Sequence, residues 1–241
     1  MPGARELILP LRGALVPVPA QPQDGVCSIC HSSAKIGFSR CLPCSEAGAA
    51  DPPEILPITL SVHGELIHSH LRNYKDSPSA AVRSRMSLRL AALLATFMSQ
   101  HARCVGEWDY ATCVPSATRV ALQSVVDRIQ LFACRYRQVL ASRPETGERA
   151  LEPARFAVSA DVSDHRILLL DDTFVSGASA FGAAAALREH GATVVGPVVI
   201  GRHIQPGWPP SAQLLSWIAK RPWDETRCAR CAGERPRASL F

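Results

Sequence analysis

The chain has no uninterrupted apolar run long enough to cross a bilayer: its richest stretches, "AALLATFM" and "TVVGPVVIG", fall well short of the roughly 18 residues a span requires. It therefore reads as a soluble protein without a membrane partner. Aromatics are scarce, at 6%, and do not interleave with the basic residues, which weakens a base-stacking channel for single-stranded nucleic acid. No Gly-x-x-x-x-Gly-Lys occurs, so a Walker-type phosphate loop is excluded. Lysine numbers only three, and the simplest source of the arginine excess is genomic base composition rather than phosphate binding. There is no internal repeat and no low-complexity tract.

What remains is enough for one ordinary α/β domain with decoration, since 241 residues at 47% hydrophobic content can bury a core. The net charge of +5 is modest, yet residues 64–103 set six basic residues against Glu65 and Asp76, which permits a polyanionic partner. Six of the nine cysteines fall in Cys-x-x-Cys pairs, a usage that favours metal over disulfides and a reducing cytoplasm.

Residues 1–26 are proline-rich and aperiodic, and read as a leader or an edge segment rather than a helix; Arg12 and the crowded prolines argue against a signal peptide. A cysteine module (27–44), a linker (45–57), an α/β domain (58–205) and a C-terminal extension (206–241) follow. Within the domain, Val82, Met86, Leu90, Leu93, Leu94 and Phe97 recur at three- and four-residue steps, one side of a core helix. "WDYATCVPS" reads as a strand ending at Pro115, and "TRVALQSVVDRIQLFACRYRQVLA" as one long amphipathic helix. Residues 142–156 read as a mobile loop. "RILLLDD" is a strand buried on both faces, "SGASAFGAAAALREHG" a helix closed by Gly191, and "TVVGPVVIGR" the next strand. Strand alternating with helix predicts a parallel sheet with helices on both faces.

The strand Leu168-Leu169-Leu170 places Asp171 and Asp172 at its carboxyl end, where open α/β sheets bind ligands. The small residues that follow, Val175, Ser176, Gly177, Ala178 and Ser179, lead into a helix whose N–H groups and positive dipole end suit a phosphate. Carboxylates beside a phosphate cradle fit a phosphorylated sugar, the acids accepting from ribose hydroxyls while the loop holds the 5′-phosphate.

"LLLDDTFVSGAS" resembles the phosphoribosyl pyrophosphate (PRPP) motif of type I phosphoribosyltransferases, and the chain is similar to the ComF-like branch, many of which carry an amino-terminal cysteine module. "LIHSHLRNYKD" resembles that branch's Leu-x-x-x-Lys-Tyr-like segment, "CVPSATR" its pyrophosphate loop, and "RYRQVLASRPETGERALEPARF" its hood region. The resemblance implies a type I phosphoribosyltransferase-like fold and Mg²⁺-dependent displacement of pyrophosphate from PRPP by an unidentified acceptor. Asp171 and Asp172 would orient the ribose and metal waters. Pro115, Ser116, Ala117, Thr118 and Arg119 would meet the pyrophosphate, with one or two of Arg135, Arg137, Arg143, Arg149 and Arg155 closing over it. The branch is linked with DNA uptake, and the family's Arg-Gly-Phe-Asn-Gln block is absent here. A second reading is therefore a non-catalytic accessory protein contacting DNA through the zinc module and the basic stretch. A homo-oligomer is left open.

Cys27, Cys30, Cys41 and Cys44 have the spacing of a tetrahedral structural Zn²⁺ site with two knuckles. His31 is a poorer ligand because four sulfurs already close the site. Cys228-x-x-Cys231 reads as half a metal site, completed elsewhere in space or by another chain. Cys104, Cys113 and Cys134 read as buried small hydrophobes, and His63, His68 and His70 as surface residues.

Overall fold

The computed structural model describes residues 3–20, 23–47, 52–116, 121–143 and 153–231. Four parallel strands form the central sheet: β1 (Leu56–Val62), β2 (Tyr110–Cys113), β5 (Arg166–Phe174) and β6 (Thr193–Ile204), in the order β1-β6-β5-β2. Two short strands, β3 (Leu140–Ser142) and β4 (Phe156–Val158), pair antiparallel outside it. The helices are α1 (Ala4–Ile8), α2 (Leu42–Glu46), α3 (Leu66–Asp76), α4 (Ala80–Gln100), α5 (Ala102–Val105), α6 (Ala121–Val126), α7 (Ala178–Glu189) and α8 (Ser211–Ile218). No helix among the described residues is long and apolar enough to cross a membrane.

β5 divides the core. Its side chains alternate across the sheet, so Leu168 and Leu170 join the cluster built by α3 and α4, while Ile167 and Leu169 join the one under α7. All four are at most 1% exposed. Burying such a leucine stabilises by about 1.5–3 kcal/mol, which is why an unbroken apolar run sits here rather than an alternating one. α4 presents Met86, Leu90, Leu93, Leu94 and Phe97 to the same core as predicted, and the Ser79 hydroxyl caps its start by accepting from the Val82 N–H at 3.4 Å. α7 ends as expected: Gly191, at φ +83°, donates to the Arg188 carbonyl, and Ala192 to that of Leu187.

Three expectations are corrected. The single long helix after residue 118 is absent from the described residues: α6 stops at Val126, a 3₁₀ turn covers Gln130–Phe132, and Tyr136 then bridges Ala111 in parallel. The open edge of β2 supplies the reason. Ala111 donates to the Arg135 carbonyl at 2.7 Å and accepts from the Arg137 N–H at 2.9 Å, so unpaired strand groups capture a segment whose periodicity suits a helix. The segment read as a loop, 142–156, begins at the last residue of β3 and ends at the first of β4, and residues 144–152 of it lie outside the described residues. The N-terminal segment is helical over α1 and buries Ile8, Leu11, Leu15 and Val18 in the main core. Further along this segment, the Leu60 N–H of β1 donates to the Val16 carbonyl at 3.2 Å. The linker boundary shifts as well: α2 occupies its beginning, Ile55 is fully buried, and β1 starts at Leu56.

Candidate functional site

β2 ends before β5 does, and that stagger makes a cleft. Cys113 is the last β2 residue in register, opposite Leu170, and the Val114 N–H still donates to the Leu170 carbonyl at 2.8 Å. Pro115, with no N–H to give, then takes the chain away, leaving Asp171 and Asp172 past the end of the β2 pairing while β5 stays paired with β6 as far as Phe174. A cleft of about 390 Å³ opens there. It is lined by Asp171, Asp172, Thr173 and Ser179, by Cys113, Pro115 and Ser116, and by Lys75, Gln138 and Arg155. The predicted acids and the start of the predicted pyrophosphate loop therefore share one cavity. Ala117, Thr118, Arg119 and Arg149 lie outside the described residues.

The two aspartates are not equivalent. Asp172 is 8% exposed and already engaged: the Tyr74 hydroxyl donates to its Oδ2, and Lys75 Nζ lies 2.7 Å from Oδ1 and 2.6 Å from Oδ2. Burial, and then the charge of Asp172, push the Tyr74 phenol up, so it stays a donor. Of the two carboxylates expected to meet a ligand, Asp172 is thus already held by protein partners. Asp171 is partly buried, and its Oδ1 accepts from the Asp172 N–H at 2.8 Å. Burial first, and the negative charge of Asp172 second, raise its pKa to about 8 against the opposing pull of Lys75. A carboxyl held that high sits where added positive charge is favourable. Thr173 and Ser116 line the same cleft, and hydroxyl and carboxylate oxygens are the ligand type that a hard dication such as Mg²⁺ takes.

The five residues of the predicted phosphate loop divide by depth. Val175, Ser176 and Ser179 are exposed, while Gly177 and Ala178 are buried beneath them. No side chain caps α7, and the Ala178 N–H reaches Ser176 Oγ only at 3.5 Å, a long and weak contact. The first-turn amides of α7 therefore retain hydrogen-bonding capacity at the rim of the cleft. Gly177 is required for this turn. Its φ is +93°, and a Cβ there would lie 2.6 Å from Phe174 Cζ and 2.6 Å from Phe181 Cε2. Gly177→Ala should destabilise the protein by about 2–4 kcal/mol, read by urea denaturation. A change within about 0.5 kcal/mol would show that the turn tolerates a side chain.

Cys113 lines the cleft, but burial pushes its thiol up to about 12, so it is not a thiolate nucleophile at neutral pH. Among the arginines expected over the site, Arg155 lines the cleft. Arg135 stacks on Trp108, with Cζ 3.6 Å from the ring centroid, and Arg137 lies 4.8 Å from that of Tyr110.

On the α7 side of the sheet, Cys27, Cys30, Cys41 and Cys44 converge with all four sulfurs within 4.8 Å of one another; all are buried and none is in a disulfide. The Cys30 and Cys41 sulfurs are 3.7 Å apart, the edge length of a tetrahedral thiolate site, so the cluster can hold a metal ion. His31 turns away from it, Nδ1 lying 3.1 Å from the Pro19 carbonyl and Nε2 3.5 Å from Glu54.

No family profile and no curated protein matches the chain. A solved phosphoribosyltransferase from Corynebacterium diphtheriae is similar in structure at 23% identity, over 61% of this chain and 96% of that one, with a TM-score of 0.35. A likeness that loose carries no argument.

Sequence reasoning missed Lys75, Thr173 and Gln138 as cleft groups, and Tyr74 as the donor that engages Asp172. "NYKD" carried a usable signal, because it contains one of only three lysines. Two simple assignments also fail. His70 is buried, with Nδ1 2.9 Å from the Leu66 carbonyl, and Cys134 is exposed. His63 and His68 meet His203 at the ends of β1 and β6, where burial and then the neighbouring His68 lower the pKa of His203 to about 4.

Proposed function

We propose that the chain is a PRPP-binding, phosphoribosyltransferase-like protein of the ComF-like kind, acting in the cleft between β2 and β5. The observation that carries this reading is the convergence, around one cavity, of a carboxylate, two cations and uncapped helix-start amides: Asp171, Lys75 with Arg155, and the first turn of α7. Each matches one part of the substrate. The amides and hydroxyls of residues 175–179 take the 5′-phosphate, and Asp171 accepts from the ribose hydroxyls. Pro115, Ser116 and residues 117–119 meet the pyrophosphate, with Lys75 and Arg155 facing its charge. Asp172 acts as a positioning residue that holds Lys75 in place.

Displacing pyrophosphate from C1 leaves positive charge on the ribose, so the chain's work is orientation and electrostatics rather than covalent catalysis. Mg²⁺, when bound, supplies neutralisation of the pyrophosphate charge, and Asp171 with the neighbouring hydroxyls would hold it, partly through water. The four-cysteine cluster carries a structural Zn²⁺, and cysteines used in this way fit a reducing cytoplasm.

PRPP at about 100 times its Kd, in the presence of Mg²⁺, should stabilise the fold by about 2.7 kcal/mol. For a domain of this size that is a rise of roughly 5–10 °C in Tm. No shift with PRPP and Mg²⁺ would sink the proposal. A protein indifferent to PRPP that retards duplex DNA at about 50 mM salt, and loses it steeply at higher salt, would favour the DNA-accessory reading instead.

A further inference from the structure

The Cys228-x-x-Cys231 pair is completed within its own chain. His101, at the junction of α4 and α5, and Cys104, one turn further on, converge with Cys228 and Cys231 so that all four ligand atoms lie within 4.8 Å of one another. The geometry points to a second metal site, a centre of three thiolates and one imidazole for Zn²⁺ or a similarly thiophilic divalent ion, that clasps the C-terminal segment onto the end of α4.

Four features separate this cluster from a chance meeting of thiols. His101 Nδ1 lies 3.5 Å from the Cys231 sulfur, the edge expected of a tetrahedron with Zn–S of about 2.3 Å and Zn–N of about 2.0 Å, and the unbonded Cys228 and Cys231 sulfurs are 3.4 Å apart, somewhat closer than the ideal thiolate edge. The imidazole is already oriented as a ligand, being 3% exposed with its far nitrogen, Nε2, 3.1 Å from the Glu225 carbonyl. Donation to that carbonyl puts the proton on Nε2 and leaves the Nδ1 lone pair facing the sulfurs, the arrangement that backbone carbonyls impose on metal-bound histidines. The Cys228 N–H points at the Cys231 sulfur at 3.4 Å, as in a knuckle whose amides support a thiolate. Finally, the ligands come from segments 130 residues apart, so an ion would add a cross-link between parts of the chain distant in sequence. Binding would release the three thiol protons and leave the imidazole neutral.

The clasp also reaches the first cluster. Arg230, between the two cysteines, donates to the Cys104 carbonyl at 2.6 Å and to Glu54 at 3.1 Å, and Glu54 faces His31 beside Cys30.

Metal analysis of the full chain, purified without added metal, should give about two zinc ions per molecule, falling to about one in Cys228→Ser/Cys231→Ser. Alkylation of the native wild-type protein with N-ethylmaleimide, mapped by peptide mass, requires no variant. Without any chelator, the part-exposed Cys104 and Cys231 should resist labelling while the exposed Cys134 is labelled. One zinc ion per wild-type chain with Cys104 and Cys231 labelled as readily as Cys134, or a Cys228–Cys231 disulfide in protein handled without reductant, would overturn the assignment. Either result is independent of PRPP binding.

Discussion

Asp171→Asn should weaken PRPP binding in Mg²⁺ by roughly 100-fold, about 2.7 kcal/mol, and at the same time make the protein more stable at pH 8. The two effects share a cause. Burial and the adjacent Asp172 hold the Asp171 pKa at about 8, so the folded state resists its ionisation. A carboxyl raised from its ordinary value contributes stability that is fully present below about pH 4 and is lost as pH climbs through about 8. Asparagine removes that titration. The variant and wild type should therefore melt nearly together at pH 4 and diverge as pH rises, the variant ahead by an amount on the order of a few kcal/mol at pH 8. Thermal melts of both proteins across that range, with calorimetric PRPP titrations at pH 7.5, check the pair of effects. A variant that loses stability at pH 8, or keeps its PRPP affinity, would show that Asp171 is a structural acid. Asp172→Asn should behave oppositely, destabilising by roughly 2 kcal/mol because Lys75 and Tyr74 lose their charged partner.

The contrast between neighbouring acids also marks how far the sequence could be read. A run such as Leu168-Leu169-Leu170 has one low-energy home, a strand covered on both faces, and most of what that strand fixes is legible: the parallel sheet, the glycine turn, the following helix and the acids toward its carboxyl end, although the strand itself runs past them to Phe174. The spacing of Cys27, Cys30, Cys41 and Cys44 is legible for the same reason, being local. What depends on contacts between distant segments is not. Nothing in "DD" says that the second acid is taken by Lys75, because that pair forms only once α3 lies against the end of β5. Nor does Cys228-x-x-Cys231 name His101 and Cys104, which reach it from the far side of the chain. The segment after residue 126 defies its own pattern because periodicity reports an amphipathic face but not the competing pull of an open strand edge at Ala111.

Stripping metal from the Cys27, Cys30, Cys41 and Cys44 cluster should unfold far more than the module that contains it. A short knuckled segment has too little core to fold alone, and structural zinc supplies apparent binding energies of about 10–16 kcal/mol, comparable to the whole stability of a typical domain. Here the module is not insulated. Its cysteines, with Ala34, Ala47 and Ile55, belong to the same apolar cluster as Ile167 and Leu169 of β5 and Phe181 of α7. The Ile55 N–H donates to the Ile29 carbonyl at 2.8 Å immediately before β1 begins, so disorder in the module propagates to the edge strand. Cys27→Ser/Cys30→Ser should accordingly fail to accumulate as folded protein, and wild type treated with a strong chelator should lose its cooperative melt or drop in Tm by more than about 15 °C. Cys134→Ser, at an exposed position, serves as the control and should melt within about 2 °C of wild type. Full retention of the cooperative transition after metal is removed from this cluster would mean that the four thiols pack as an ordinary part of the core, with no ion holding them.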